Sequence, residues 1–95
     1  MHTRIVDVEW DPAKAASNQR KHGVPFADAA VALEDDLAVT VLDPDSDDED
    51  RFVTLGMDPS GKLLVVVFTL RGDRVRLISA RQATTREQRT YEVGT

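Results

Sequence analysis

Hydrophobic and polar positions change their period several times along the 95-residue chain, and each change marks an element. Residues 4–9 run Arg4, Ile5, Val6, Asp7, Val8, Glu9, which fits a short first strand. Asp11-Pro12 then starts a helix: the carboxylate can accept from the first free N–H groups, and proline is tolerated where its missing N–H costs nothing. Gly23 closes that helix, since glycine takes the left-handed conformation just past a last turn. After Pro25, the residues Phe26, Ala29, Ala30 and Leu33 fall at i, i+3, i+4 and i+7, predicting a second helix over Phe26 to Glu34 with one apolar stripe. Leu37 to Leu42 is rich in branched residues and predicts a strand running into the polar loop Asp43 to Asp50. Arg51 to Met57 and Lys62 to Leu70 flank Asp58-Pro59-Ser60-Gly61, a turn sequence that makes them a hairpin. Arg71-Gly72-Asp73 reverses the chain into Arg74 to Ala80, and Thr84 with Glu87 three residues on has the capping-box spacing of a last helix reaching about Val93.

Consecutive hairpins predict an antiparallel sheet, and helices gathered at the two ends of the chain predict an α+β fold with the helices on one face. Leu63 to Phe68 is apolar at every position, so this strand should be central. Residues 1–95 form one domain, long enough to bury roughly 60–65% of the surface the unfolded chain exposes. The longest apolar run, Leu63 to Phe68, is far short of the ~20 residues of a membrane span, and charges break the N-terminal segment where a signal peptide would be apolar. No membrane association is expected, and the cytosol is the expected compartment. Without cysteine there is no disulfide, thiolate metal site or cysteine nucleophile. The five glycines are isolated, so no phosphate-cradling loop and no nucleotide cofactor are expected.

A formal net charge of -5 argues at first against a nucleic-acid partner. The charge is unevenly spread, however. Glu34 to Asp50 carries nine acids and no base, and the rest of the chain then holds twelve bases against eight acids, a net of +4. Arg71 to Thr90 alone has six arginines against Asp73 and Glu87. A partner feels local potential, and guanidinium forks match phosphate or carboxylate. The arginines also fit an ordinary solvated surface.

On the first helix Lys14, Asn18, Lys21 and His22 make one polar stripe, with a titratable imidazole beside an ammonium in the last turn. The stripe fits either a solvent-facing surface or a cationic site. No metal is expected: His2 and His22 are far apart, and His-x-x-x-His spacing is absent. The acidic loop Asp43 to Asp50 lacks the mid-loop glycine and the ligand spacing of a calcium loop.

The set Trp10-Asp11-Pro12-Ala13-Lys14, Asn18, Lys21-His22-Gly23-Val24-Pro25-Phe26, Glu49-Asp50-Arg51-Phe52, Arg76-Leu77-Ile78-Ser79-Ala80-Arg81, Ala83-Thr84, Glu87 and Tyr91-Glu92 resembles the BrnT family of toxins. The resemblance covers nearly the whole chain. It implies a RelE-like α+β fold with two N-terminal helices and a C-terminal helix, together with metal-independent endoribonuclease activity that arrests translation. It also implies an RNA substrate, neutralisation by a BrnA-type ribbon-helix-helix antitoxin, and contact with operator DNA only through the antitoxin complex. The family's charged motif positions fall on Lys21, His22, Glu49, Arg51, Arg76 and Arg81, with Lys14 as an outer candidate.

Cleavage of RNA without a metal needs a base for the ribose 2′-OH, cations for the charge building on phosphate, and an acid for the departing 5′ oxygen. On the resemblance, Glu49 and His22 are expected to share the proton transfers in an order the residues leave open, Arg51, Arg76 and Arg81 to take the phosphate, and Lys14 and Lys21 to bind RNA. Arg76 and Arg81 have opposite strand parity, so they share a face only if the strand ends or bulges between them. Arg81 could instead pair with Glu87. The loop before Arg51 is unusually acidic, and position 82 is Gln where the family commonly has a base, both lowering the local positive potential. The competing function is a non-catalytic module that binds the antitoxin and acts in promoter autoregulation.

Overall fold

Asp11 begins the first helix as its spacing predicts. Its Oδ1 accepts from the Ala13 N–H at 2.9 Å, Pro12 occupies the first turn, and Gly23 closes the helix at φ 70°, donating to the Gln19 carbonyl. In a computed structural model that describes residues 7–46 and 49–93, the chain forms β1 (Asp7–Glu9), α1 (Pro12–His22), α2 (Phe26–Ala32), β2 (Val39–Leu42), β3 (Arg51–Met57), β4 (Leu63–Arg71), β5 (Arg74–Gln82) and α3 (Thr85–Val93). Residues 4–6 of the expected first strand, His2, and Asp47 and Asp48 of the acidic loop lie outside the described residues.

The five strands form one sheet in the order β1-β5-β4-β3-β2, so β4 is central, as its unbroken apolar run requires. The pairs β2–β3, β3–β4 and β4–β5 are antiparallel. The sheet is nonetheless mixed, because β1 pairs parallel to β5, with Glu9 opposite Arg76. A hairpin-by-hairpin reading cannot see this pairing, since the whole remainder of the fold separates the two strands.

Helices cover both faces, not one as expected. On the first face Leu64, Val66 and Phe68 of β4 join Val75, Leu77 and Ala80 of β5 beneath Val24, Phe26, Ala29 and Ala32. There the Phe52 and Phe68 rings stack at 5.5 Å, and Trp10 meets Phe26 edge-on at 6.0 Å. On the second face Tyr91 of α3 packs on Leu55, Leu63 and Val65. The alternation of β4 explains the division: even positions face α1 and α2, odd positions face α3. A continuous apolar run is the signature of a strand covered on both sides.

Two close contacts set the layers. A methyl at Gly56 would collide with the carbonyl oxygen of Ala32, so α2 crosses β3 where the strand has no side chain. The helix stops at Ala32, short of the expected Glu34, and the chain turns so that Asp35 accepts from the Leu37 N–H (3.0 Å), the Met57 N–H (2.9 Å) and the Tyr91 hydroxyl (2.6 Å). Burial would raise the Asp35 carboxyl's pKa, but these three donors outweigh it and lower the value. The same bond, with burial, pushes the Tyr91 hydroxyl up to about 12.

Candidate active site

The decisive local feature is a bulge in β5. Val67 pairs with Ser79 and Phe68 with Leu77, leaving Ile78 as an extra residue. One added residue inverts the alternation beyond it. Leu77 and Ala80, three apart, therefore both reach the first core, at 1% and 0% exposure. The complement matters more: Arg76, Ser79 and Arg81 all project on the opposite face, the one carrying α3. The parity obstacle between Arg76 and Arg81 is thus removed by the device that could remove it.

Registers across the sheet define a row on this face. Arg51 of β3 lies opposite Thr69 of β4, Thr69 opposite Arg76 of β5, and Arg76 opposite Glu9 of β1. Arg76 Nη1 donates to Glu9 Oε2 at 2.6 Å, while Arg74 Nη1 stands 3.5 Å from Glu9 Oε1. The Arg76 hydrogen bond, against a smaller opposing effect of desolvation, holds the Glu9 carboxyl below its ordinary range. Thr69 is buried, and its hydroxyl has no hydrogen-bond partner.

α1 lies along the part of β5 that β1 leaves uncovered. Asn18 is the connection: its amide nitrogen donates to the carbonyls of Ala80 (2.8 Å) and Val24 (3.1 Å), and its oxygen accepts from the Ala80 N–H at 3.0 Å. The side chain thus stands in for a neighbouring strand, and at 6% exposure it is no part of a solvent-facing stripe. Lys14, Lys21 and His22 are exposed and line, with Ser17, Asn18, Ile78 and Ser79, a groove of about 250 Å³. Ser79 belongs to both surfaces, so it joins the cationic rim of α1 to the face that carries Arg76.

Arg81 is committed elsewhere. Its two terminal nitrogens bond the two carboxylate oxygens of Glu87, each at 2.8 Å, and Nη1 also donates to the Gln82 carbonyl. Glu87 completes the expected capping box, accepting from the Thr84 N–H at 2.8 Å while its own N–H donates to Thr84 Oγ1. Arg81 therefore fastens α3 to the end of β5. Glu49 is exposed on the loop, 3.4 Å from Arg71 at the end of β4, and the structure shows no contact between it and His22. Arg51, Arg71, Arg74 and Arg76 all project on the α3 face by strand alternation. Glu9, Thr69 and Ser79 were absent from the sequence-based site. Their only sequence signal is the parity of β5, which becomes informative once the bulge is known.

Among the described residues no cluster of three or more His, Asp or Glu is placed to hold a metal, and no helix is long and apolar enough to cross a membrane. A mixed five-stranded sheet presenting arginines on one face, with a histidine-bearing helix at its edge, makes this a small α+β domain of RelE-like fold. Residues 10–87 match the family model described as "Ribonuclease toxin, BrnT, of type II toxin-antitoxin system", and the chain belongs to that family. The fold is similar to the 1.1 Å crystal structure of the Brucella abortus ribonuclease toxin BrnT, with a TM-score of 0.63 and 27% identity over 83% of this chain and 97% of that one. A search of curated protein sequences returned no significant match. Membership makes the chain a toxin-family member of a type II system, with an antitoxin as its implied partner.

Proposed function

We propose that this chain is the toxin component of a type II toxin-antitoxin system, acting as a metal-independent endoribonuclease that arrests translation until a BrnA-type ribbon-helix-helix antitoxin neutralises it. The observation that supports this most is the bulge at Ile78, which brings Arg76 and Ser79 to one face beside the Lys14, Lys21 and His22 rim of α1. Arg76 and Arg51, on the same row, hold the scissile phosphate as bidentate donors, the role a divalent ion fills in other nucleases. Lys14 and Lys21 follow the flanking backbone. His22 supplies a proton-transferring imidazole at the groove wall. Arg81 adds positive potential while it anchors α3, and Glu49 holds the acidic loop to Arg71. Operator DNA is reached only through the antitoxin complex, and the compartment is the cytoplasm.

The test is RNA cleavage by purified, antitoxin-free protein in excess EDTA. Wild type should degrade RNA, and Arg76→Ala should lose on the order of 10²–10³ in rate, the cost of removing one preorganised donor from a developing oxyanion. His22→Ala should fall by ~10² or more. Intact RNA with wild type, or undiminished cleavage by both variants, would overturn the proposal.

A further inference from the structure

In-line attack by a ribose 2′-oxygen places the abstracted proton next to the phosphate it attacks, so the base must stand beside the cation that holds that phosphate. Of the described carboxylates on the α3 face, Asp7 is exposed and lies opposite Arg74, outside the row that holds Arg76. Glu87 spends both oxygens on Arg81 and accepts from Thr84 as well. Glu49 sits on the loop beside Arg71, with about half of its side chain exposed. Glu9 is the one in register with Arg76, its Oε2 in contact with that guanidinium at 2.6 Å. Among the described residues its other oxygen, Oε1, is approached by Arg74 at 3.5 Å and keeps lone pairs for a further donor.

We propose that Glu9 is the general base of the cleavage, its Oε1 taking the 2′-OH proton while Arg76 holds the adjacent phosphodiester. The inference rests on the ribonuclease function set out above and adds to it a residue on a different strand from every charged motif position. The proton passes from the 2′-OH to Glu9, the 2′-oxygen bonds to phosphorus, the P–O5′ bond breaks, and the leaving oxygen takes a proton from His22. The products are a 2′,3′-cyclic phosphate and a 5′-hydroxyl end, and the two side chains recover their protonation by exchange with water. Nothing is oxidised or reduced. The floor of the same row supports a ligand there: Thr69, between Arg51 and Arg76, carries a buried hydroxyl with no partner, and buried polar groups are rarely left so. Glu9 also keeps Arg74 and Arg76 from repelling one another in the free protein, so the base is held ready by the cations it serves.

The alternative role for Glu9 is to position Arg76 and do nothing else. Glu9→Gln separates the two, because the amide oxygen still accepts from Arg76 but the side chain can no longer take a proton. Steady-state cleavage of a short RNA should show kcat at least 100-fold down with KM unchanged or lower, since a carboxylate no longer competes for Arg76. Glu9→Asp should recover part of the lost kcat. Thermal unfolding of both variants checks that they fold, and should Glu9→Gln not fold, the Asp variant decides alone through a kcat loss with unchanged KM. The proposal is overturned if Glu9→Gln keeps kcat within threefold of wild type, or if Glu9→Asp leaves kcat unchanged or raises KM alone. Failure of wild type to cleave RNA would sink the ribonuclease function itself, which is a distinguishable result.

Discussion

Asn18→Ala is the most demanding test of how the site is held. The side chain makes three hydrogen bonds to backbone groups of Ala80 and Val24, residues exposed by 0% and 4%. Truncation leaves one N–H and two carbonyls buried without partners. At a net ~1 kcal/mol for each lost bond, with more where the orphaned group stays dry, the loss is about 3–4 kcal/mol. Against a total stability of ~5–15 kcal/mol this is a large fraction. For a domain of this size it corresponds to a fall of roughly 12–30 °C in Tm. The assay is urea and thermal unfolding followed by far-UV circular dichroism, together with hydrogen exchange at the Ala80 amide, whose protection should collapse before that of the β4 amides. Asn18→Asp should be no better, because the carboxylate keeps the Ala80 N–H but faces two carbonyl oxygens. A loss below about 1 kcal/mol for Asn18→Ala, or unchanged protection at Ala80, would refute the view that one amide replaces a missing strand.

Three further outcomes follow from the same geometry. The Arg81 hydrogen bonds, against the smaller effect of burial and with help from Thr84, bring the Glu87 carboxyl from its ordinary 4.5 to about 2. A depressed folded value means the stabilisation is complete above pH ~4.5 and disappears as pH falls toward 2, and water around this partly open pair reduces it to roughly 1–2 kcal/mol; acid titration of Tm should show that loss in wild type and not in Glu87→Gln. Gly56→Ala drives a methyl into the Ala32 carbonyl and should cost at the upper end of ~1–3 kcal/mol by denaturant unfolding, whereas a neutral result would contradict the close crossing of α2 over β3. Deleting Ile78 restores an unbulged ladder, so either Val75 and Leu77 or Ala80 must leave the core; it should cost about 3 kcal/mol or more and abolish cleavage, while Ile78→Ala keeps the register and costs about 1 kcal/mol.

Most of the element order was legible because it rests on local chemistry: Asp11 and Gly23 bound a helix, Asp58 to Gly61 makes a hairpin turn, and Thr84 with Glu87 opens the last helix. What escaped was non-local. The parallel pairing of β1 with β5 joins residues 67 apart in sequence, and no nearby pattern encodes it. α3 was assigned to the wrong face because its short amphipathic stretch reads alike on either side of a strand that is apolar throughout. The site divides in the same way. Arg76 and His22 are candidates from residue type alone, and the opposition of strand parity correctly named a bulge as the condition for a shared surface. Glu9 was passed over as an ordinary strand residue, since only the register that sets it against Arg76 makes it a candidate.

That register also bears on how an acidic chain could take the RNA substrate proposed for it. Four arginines, Arg51, Arg71, Arg74 and Arg76, project from neighbouring strand ends on one face, and like charges at such spacing oppose folding. Carboxylates offset the repulsion in the free protein: Glu9 faces both Arg74 and Arg76, and Glu49 approaches Arg71 from the acidic loop. An approaching phosphodiester would meet guanidinium groups already oriented by the carboxylates beside them, so ordering them would cost little at the moment of binding. The acids that make the net charge -5 are therefore compatible with a phosphodiester, provided they stand beside the arginines that would hold it or at the rim. On this account total charge predicts little about the partner. The position of each carboxylate relative to the bulged strand decides whether it would repel a phosphodiester, stabilise the empty site, or, as proposed for Glu9, take the proton.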